Sequence, residues 1–233
     1  MWILSVDTAL RNCNVVLAQS DKVIHEIVMG DEVRHSSRVL EAVDEVLEKA
    51  DMTLAQLDGL GVTTGPGSFT GLRIGLSTVK GLAFGLNRPV AGVGVLEVLA
   101  NQVLFVQGVP VAAFVDGGKE EVFTQRFFMV NGGILPMSDP ENLSYPKAAA
   151  TITENTIVTG GGVPLIEPYF DEMQREMAQV NNRDAWMPAG KTIAKLVYNR
   201  FESGKVTDGA LVIPNYVRKS DAELGLLQNS EKE

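Results

Sequence analysis

Val111-Ala-Ala-Phe-Val-Asp116 is an apolar run of strand length that ends in aspartate and continues into Gly117-Gly118. The chain opens on a segment of the same kind, Ile3-Leu-Ser-Val-Asp7, followed by Thr8-Ala9. After the opening run, Asn12 and Asn14 mark a turn and Val15 to Ala18 read as a second strand. Ser20-Asp21 marks another turn, and Lys22 to Met29 alternates as a third strand. After Asp116, Val122 to Val130 supplies the next strand, turned at Asn131-Gly132-Gly133. Adjacent hairpins imply an antiparallel portion of a sheet.

Working outward, each meander continues into alternating helices and strands. Ser36 or Ser37 can cap a helix reaching about residue 50, with Val39, Leu40, Val43, Val46 and Leu47 at helical spacing. Gly59 to Thr64 reads as a buried strand, Leu72 to Leu86 as a helix, Pro89 to Val93 as a strand and Leu96 to Phe105 as a helix. In the second half, Asn155 to Thr159 reads as a strand entering Gly160-Gly161-Gly162. Leu165 to Ala178 and Thr192 to Glu202 read as helices, and Leu211 to Arg218 as extended chain. Two such halves predict an α/β protein of the actin, sugar-kinase and Hsp70 ATPase type. Each of its two lobes would be a mixed sheet flanked by helices. The expected boundaries are 1–104 for the first lobe, 105–222 for the second and 223–233 for a frayed tail.

The 233 residues carry a net charge of −9, which weighs against a protein that grips nucleic acid alone, because phosphate contacts need Lys and Arg. Arg34 with Arg38, and Arg218 with Lys219, are too short to form a basic stripe. The one cysteine, Cys13, cannot close an internal disulfide and suits a reducing compartment. Met1 to Asp7 lacks the basic start of a signal peptide. Arg73 and Lys80 interrupt the longest small-apolar segment, so no membrane span is expected. The expected location is the cytoplasm.

Asp7 and Asp116 end corresponding strands. In the two-lobed fold, Asp followed by Gly-Thr makes a loop whose N–H groups hold phosphates. Thr8 stands where that glycine would be, so Asp7 either meets a nucleotide or hydrogen-bonds its own turn. Asp116 with its two glycines offers either a phosphate approach or a flexible hairpin turn. Gly160 and Gly161 fit an adenosine loop or a plain strand-to-helix bend. His25 and His35 are the only histidines, with no His-x3-His and no cysteine pair, so no metal site is expected. No Ser-His-Asp arrangement is legible.

Gly65-Pro-Gly-Ser-Phe-Thr-Gly-Leu-Arg-Ile-Gly75 fits neither phosphate-loop pattern. It offers a tight turn, a cap at Ser68 or Thr70, and a helix start. Glycines then recur at Gly71, Gly75, Gly81 and Gly85. Each costs about 1 kcal/mol against alanine inside a helix, which is tolerated where another backbone comes close. That neighbour is either internal or another chain.

This block, with Asp7-Thr8-Ala9, Arg34-His35-Ser36 and the late Pro214-x-Tyr216-Val-Arg218-x-x-x-Ala222, resembles the TsaB family, also called YeaZ, from residue 1 to about 222. The resemblance implies the two-lobed fold and pairing with TsaD, a sibling that carries a metal and the transferase site. With the ATPase TsaE, the pair would complete the step from threonylcarbamoyl-adenylate to N6-threonylcarbamoyladenosine beside the anticodon, in tRNAs reading codons that begin with A. This chain would be the non-catalytic subunit and would meet tRNA only through the complex. ATP or ADP at the complex interface is left open, as is homodimerisation of the isolated chain. The chain lacks the sibling's His-x3-His, and Gly117-Gly118-Lys119 replaces the family's usual Ala-Arg after the aspartate. The resemblance also implies a partner interface on the helices at about 36–50 and 72–86. Its candidates on the first are His35, Ser36, Val39, Leu40 and Val43. On and before the second they are Ser68, Phe69, Thr70, Leu72, Gly75, Leu76 and Val79. The alternative is an independent ATP-dependent kinase or ATPase of the same fold, with Asp7 or Asp116 holding Mg²⁺ or serving as base.

Overall fold

The computed structural model describes residues 1–30, 36–103, 108–130, 133–182 and 186–218. The first sheet is built from β1 (Trp2–Asp7), β2 (Cys13–Gln19), β3 (Lys22–Met29), β4 (Gly59–Gly65) and β5 (Val90–Gly94). Its order is β3-β2-β1-β4-β5, with β1, β2 and β3 antiparallel and β1, β4 and β5 parallel. Helices α1 (Ser36–Lys49) and α2 (Phe69–Leu86) lie between these strands in sequence, and α3 (Val95–Asn101) follows β5.

The second sheet repeats the plan. It comprises β6 (Pro110–Gly118), β7 (Glu121–Val130), β8 (Gly133–Pro136), β9 (Glu141–Ser144), β10 (Thr156–Thr159) and β11 (Ala178–Val180). The order β8-β7-β6-β10-β11 mirrors that of the first sheet. Again the meander is antiparallel and the later strands are parallel to its first strand. In place of one long third strand, β8 pairs with the end of β7 and β9 with its start. Helices α4 (Tyr145–Ala149), α5 (Val163–Ile166), α6 (Glu172–Met177) and α7 (Gly190–Glu202) complete the chain.

Strand alternation decides which helices each face carries. Leu4, Val6, Leu17 and Val62 join Val39, Val43, Leu72 and Val79 from α1 and α2. Ile3, Ala91 and Val93 point the other way and pack on Ile193 and Val197 of α7, with Val98 of α3. Each fully buried side chain of this size contributes about 1.5–3 kcal/mol. Although α7 follows the second sheet in sequence, it packs against the first. Helix α3 touches both β5 and β6 and so joins the lobes.

The expected helix from Leu165 to Ala178 is three pieces. A turn of 3-10 helix at Glu167–Tyr169 carries Pro168, which offers no N–H, and Phe170 is extended. Asp171 then restarts a helix through a capping box with Gln174, and Ala178 enters β11. The helix at 96–105 is shorter, Val95–Asn101, and 104–107 lie outside the described residues. The helix expected from Leu72 begins at Phe69, because Ser68 accepts from Gly71 N and fixes the start. Leu211 ends a 3-10 turn at Gly209–Leu211, capped by Asp208. The turn residues Asn131 and Gly132, and the tail, lie outside the described residues.

Candidate functional site: the signature turn, the interlobe cleft and the outer face of helix α2

The glycine-rich block is a clasp between β4 and the loop after β1. Ser68 N donates to Ala9 O at 2.7 Å, and Thr8 Oγ1 donates to Gly71 O at 2.6 Å. A Cβ added at Gly67 would collide with Ala9 O, one at Gly71 with Thr8 O, and one at Gly75 with Thr8 Oγ1. The first half of α2 therefore needs glycine because the chain's own Thr8-Ala9 loop presses on it. At Gly81 and Gly85 an added Cβ would meet nothing within 4 Å. The glycine ridge divides into a sealed half and an open half.

This division bears on the interface residues expected on both helices. Leu72, Gly75, Leu76 and Val79 of α2, and Val39 and Val43 of α1, are buried in the chain's own core. The helical period that made them look like one face turns that face toward the sheet. Ser68 and Thr70 are exposed, Phe69 is half-buried, and Leu40 is 46% exposed. His35 lies outside the described residues, and Ser36 is placed only as the first residue of α1. The outward face of α2 carries Arg73, Ser77, Gly81, Phe84 and Gly85. Phe84 is 91% exposed, an apolar ring flanked by two bare turns. Sequence reasoning missed it, although it is an aromatic on the side of the helix away from Leu72, Leu76, Val79 and Ala83.

Asp7 is a buried strut. It is 1% exposed, and its oxygens accept from Thr63 Oγ1 at 2.6 Å, Ala9 N at 3.0 Å and Asn14 Nδ2 at 3.3 Å. Burial pushes its pKa up, while these hydrogen bonds favour the charged form and work against that shift. The same charge and burial push the Cys13 thiol to about 12, burial being the larger cause.

Between the lobes lies a cleft of about 1020 Å³. One wall is the signature turn, Pro66 to Phe69, with Arg73 beyond it; the facing wall includes Val115 to Gly118 and Gly161. Asp116 is exposed there, with Oδ1 accepting from Gly118 N at 2.8 Å. Of the four residues considered for nucleotide contact, Asp116 and Gly161 reach the cleft and Asp7 and Gly160 do not. Gly160 has φ of +98° and sits against Phe114 O, where only glycine fits.

The segment Asn215 to Arg218 crosses the cleft. Asn215 N donates to Thr64 O at 2.7 Å in the first lobe, and the Tyr216 and Phe69 ring centroids lie 4.9 Å apart. Arg218 Nη1 donates to Glu121 Oε2 at 3.2 Å in the second lobe, an oxygen that also accepts from Asn142 Nδ2 at 2.6 Å. The Arg73 guanidinium lies 3.9 Å from the Phe69 ring centroid, on the face of the ring. Among the described residues no three His, Cys, Asp or Glu side chains are grouped to hold a metal ion. No described helix is long and apolar enough to cross a membrane.

The duplicated meander-and-crossover sheets with a cleft between them define a two-lobed protein of the actin and sugar-kinase class. The family model described as "TsaD: tRNA N6-adenosine threonylcarbamoyltransferase" matches residues 30–226, and the chain belongs to that family. Its relatives over the full length carry a different name from that description. It is 26% identical to the tRNA threonylcarbamoyladenosine biosynthesis protein TsaB of Bacillus subtilis, over 99% of this chain and all of that one. It is 26% identical to TsaB of Escherichia coli, over 95% of this chain and 96% of that one. A crystal structure from Pseudomonas aeruginosa, described as an uncharacterized protein with similarity to peptidase YeaZ, superposes with a TM-score of 0.79. It is 26% identical and covers 93% of this chain and 99% of that one.

Proposed function

We propose that this chain is the non-catalytic TsaB-type subunit of the apparatus that forms N6-threonylcarbamoyladenosine in tRNA, and that it acts in the cytoplasm by docking on a TsaD-type catalytic partner. Phe84 carries the docking reading. A ring 91% exposed on a helix, between Gly81 and Gly85, is suited to enter a partner's groove while the bare turns let a second helix approach closely. End-to-end likeness to TsaB proteins supports the pathway. The sealed Asp7 supports a role without phosphoryl chemistry, since the first-lobe strand-end carboxylate has its acceptors occupied and does not line the cleft. An ATPase of the TsaE kind and tRNA would be met through the complex.

The test is reconstitution. The chain alone should transfer no threonylcarbamoyl group to tRNA, and a TsaD-type protein should gain activity when the chain is added in equimolar amount. Turnover by the isolated chain, or hydrolysis of ATP with Mg²⁺ at a rate unaffected by substitution of Phe84, would overturn the reading in favour of an independent enzyme.

A further inference from the structure

We propose that the 3-10 turn Gly209–Leu211, together with Ile213, forms the second half of the docking face on α2, and that the partner meets this face with an apolar groove rimmed by carboxylates. This rests on the docking reading of α2. Phe84, Ile213 and Leu211 are 91%, 73% and 69% exposed, the three most exposed large apolar side chains among the described residues. One region of the fold holds all three. Gly209 is buried against α2, where an added Cβ would stand 2.7 Å from Ala83 Cβ. Lys80 Nζ donates to Ala210 O at 3.2 Å and ties the turn to the same helix. Lys80, Ala83 and Phe84 are neighbours on one side of α2, at i, i+3 and i+4. The turn therefore lies beside the stripe that carries Phe84.

The segment turns its apolar groups outward. Asp208 Oδ1 accepts from Ala210 N at 2.8 Å and starts the turn. Val212 is buried in the core, so Leu211 and Ile213 on either side of it face solvent. Contiguous apolar surface left in water marks an interaction site. Area makes the same demand: a stable interface takes about 800 Å² from each partner, more than one ring between two bare turns supplies. Charge selects the occupant. Lys80 and Arg88 stand four residues before and after Phe84, and they donate to Ala210 O and Ala55 O, both uncharged carbonyls. Asp208, the carboxylate of the turn, is occupied in capping it. A second copy of this chain would bring the same cations against one another, which like-charge repulsion disfavours. A groove with carboxylates on its rim receives the ring and the aliphatic pair and neutralises both cations.

The experiment is calorimetric titration of the full chain with a TsaD-type partner, wild type against the double variant Leu211→Ser, Ile213→Ser. The double variant should raise Kd at least about tenfold. Its melting temperature should equal that of wild type, because both side chains already stand in water. Lys80→Gln should slow association several-fold at low ionic strength and not at high, the mark of a rim charge facing carboxylates. Undiminished affinity of the double variant, with Phe84→Asp still breaking the complex, would overturn the proposal and leave the helix alone as the docking face. Undiminished affinity in both would overturn the docking reading with it. Unchanged or faster association of Lys80→Gln at low ionic strength would overturn the acidic rim. A wild-type homodimer that the double variant dissolves, with partner binding intact, would overturn the proposal in favour of a second copy.

Discussion

The two halves of α2 use the same residue type for opposite ends. At Gly71 and Gly75 the absent side chain is filled by the Thr8-Ala9 loop, and Thr8 Oγ1 donates to a carbonyl of the helix itself. At Gly81 and Gly85, two turns on, the absent side chain is filled by nothing among the described residues, and Phe84 stands out between them. A glycine inside a helix weakens it by about 1 kcal/mol wherever it sits. In the first half the cost is offset by an internal clasp. In the second half no contact among the described residues offsets it, which is the physical reason to look for another molecule there.

Substitution separates the halves most sharply. Gly75→Leu should destabilise the chain by about 3 kcal/mol or more, because Thr8 has nowhere to move without losing its bond to Gly71 O. Gly81→Leu should leave the melting temperature unchanged or raised, since a better helix former replaces glycine in open space. Thermal melts of the two variants side by side check this. Equal destabilisation would erase the distinction.

The strand-end carboxylates offer a second contrast, sealed Asp7 against open Asp116. Asp7→Asn should cost about 2 kcal/mol at neutral pH, because an amide places a donor against Asn14 Nδ2 or loses the bonds from Thr63 and Ala9. Burial raises the Asp7 pKa above its ordinary 3.8, so folding favours its protonated form. The stability it contributes is then full below 3.8 and falls as pH rises through the folded value. Wild type should therefore gain on Asp7→Asn as the pH drops toward 4, read by urea unfolding at several pH values. Asp116→Asn, at an exposed carboxylate, should cost little at neutral pH, and a gap independent of pH for Asp7→Asn would contradict the assignment.

A smaller contrast lies on α1. Val43, 1% exposed, should cost about 2 kcal/mol on truncation to alanine, whereas Leu40, 46% exposed, should cost under about 0.5 kcal/mol. If Leu40 belongs to the docking face, Leu40→Ala should instead weaken partner binding by about 1 kcal/mol, measurable as a several-fold rise in Kd.

Much of this architecture was legible because its signals are local. Strand alternation, the turn at Ser20-Asp21 and the recurrence of an apolar run ending in aspartate gave both meanders. The four-residue strands β8 and β9 are too short to show a period, and they stand in for one continuous strand. The apolar spacing from Leu165 runs past Pro168, so a helix was expected where proline and the Asp171 cap divide the segment. The site was less legible than the fold. Periodicity identifies an apolar face but not whether that face meets the sheet or another chain, and Leu72, Leu76 and Val79 turned out to meet the sheet. The sequence left Asp7 open between a nucleotide contact and its own turn, because two of its three donors, Asn14 and Thr63, are brought to it only by the folded sheet.

The outer face of α2 is the central claim, and Phe84→Asp tests it most directly. Light scattering on size exclusion should show wild-type chain and a TsaD-type partner eluting as one complex. The Phe84→Asp chain, with its melting temperature unchanged, should elute apart from the partner, with Kd raised at least about thirtyfold for an anchor residue worth 2 kcal/mol or more. A complex of undiminished affinity with that variant would contradict the account.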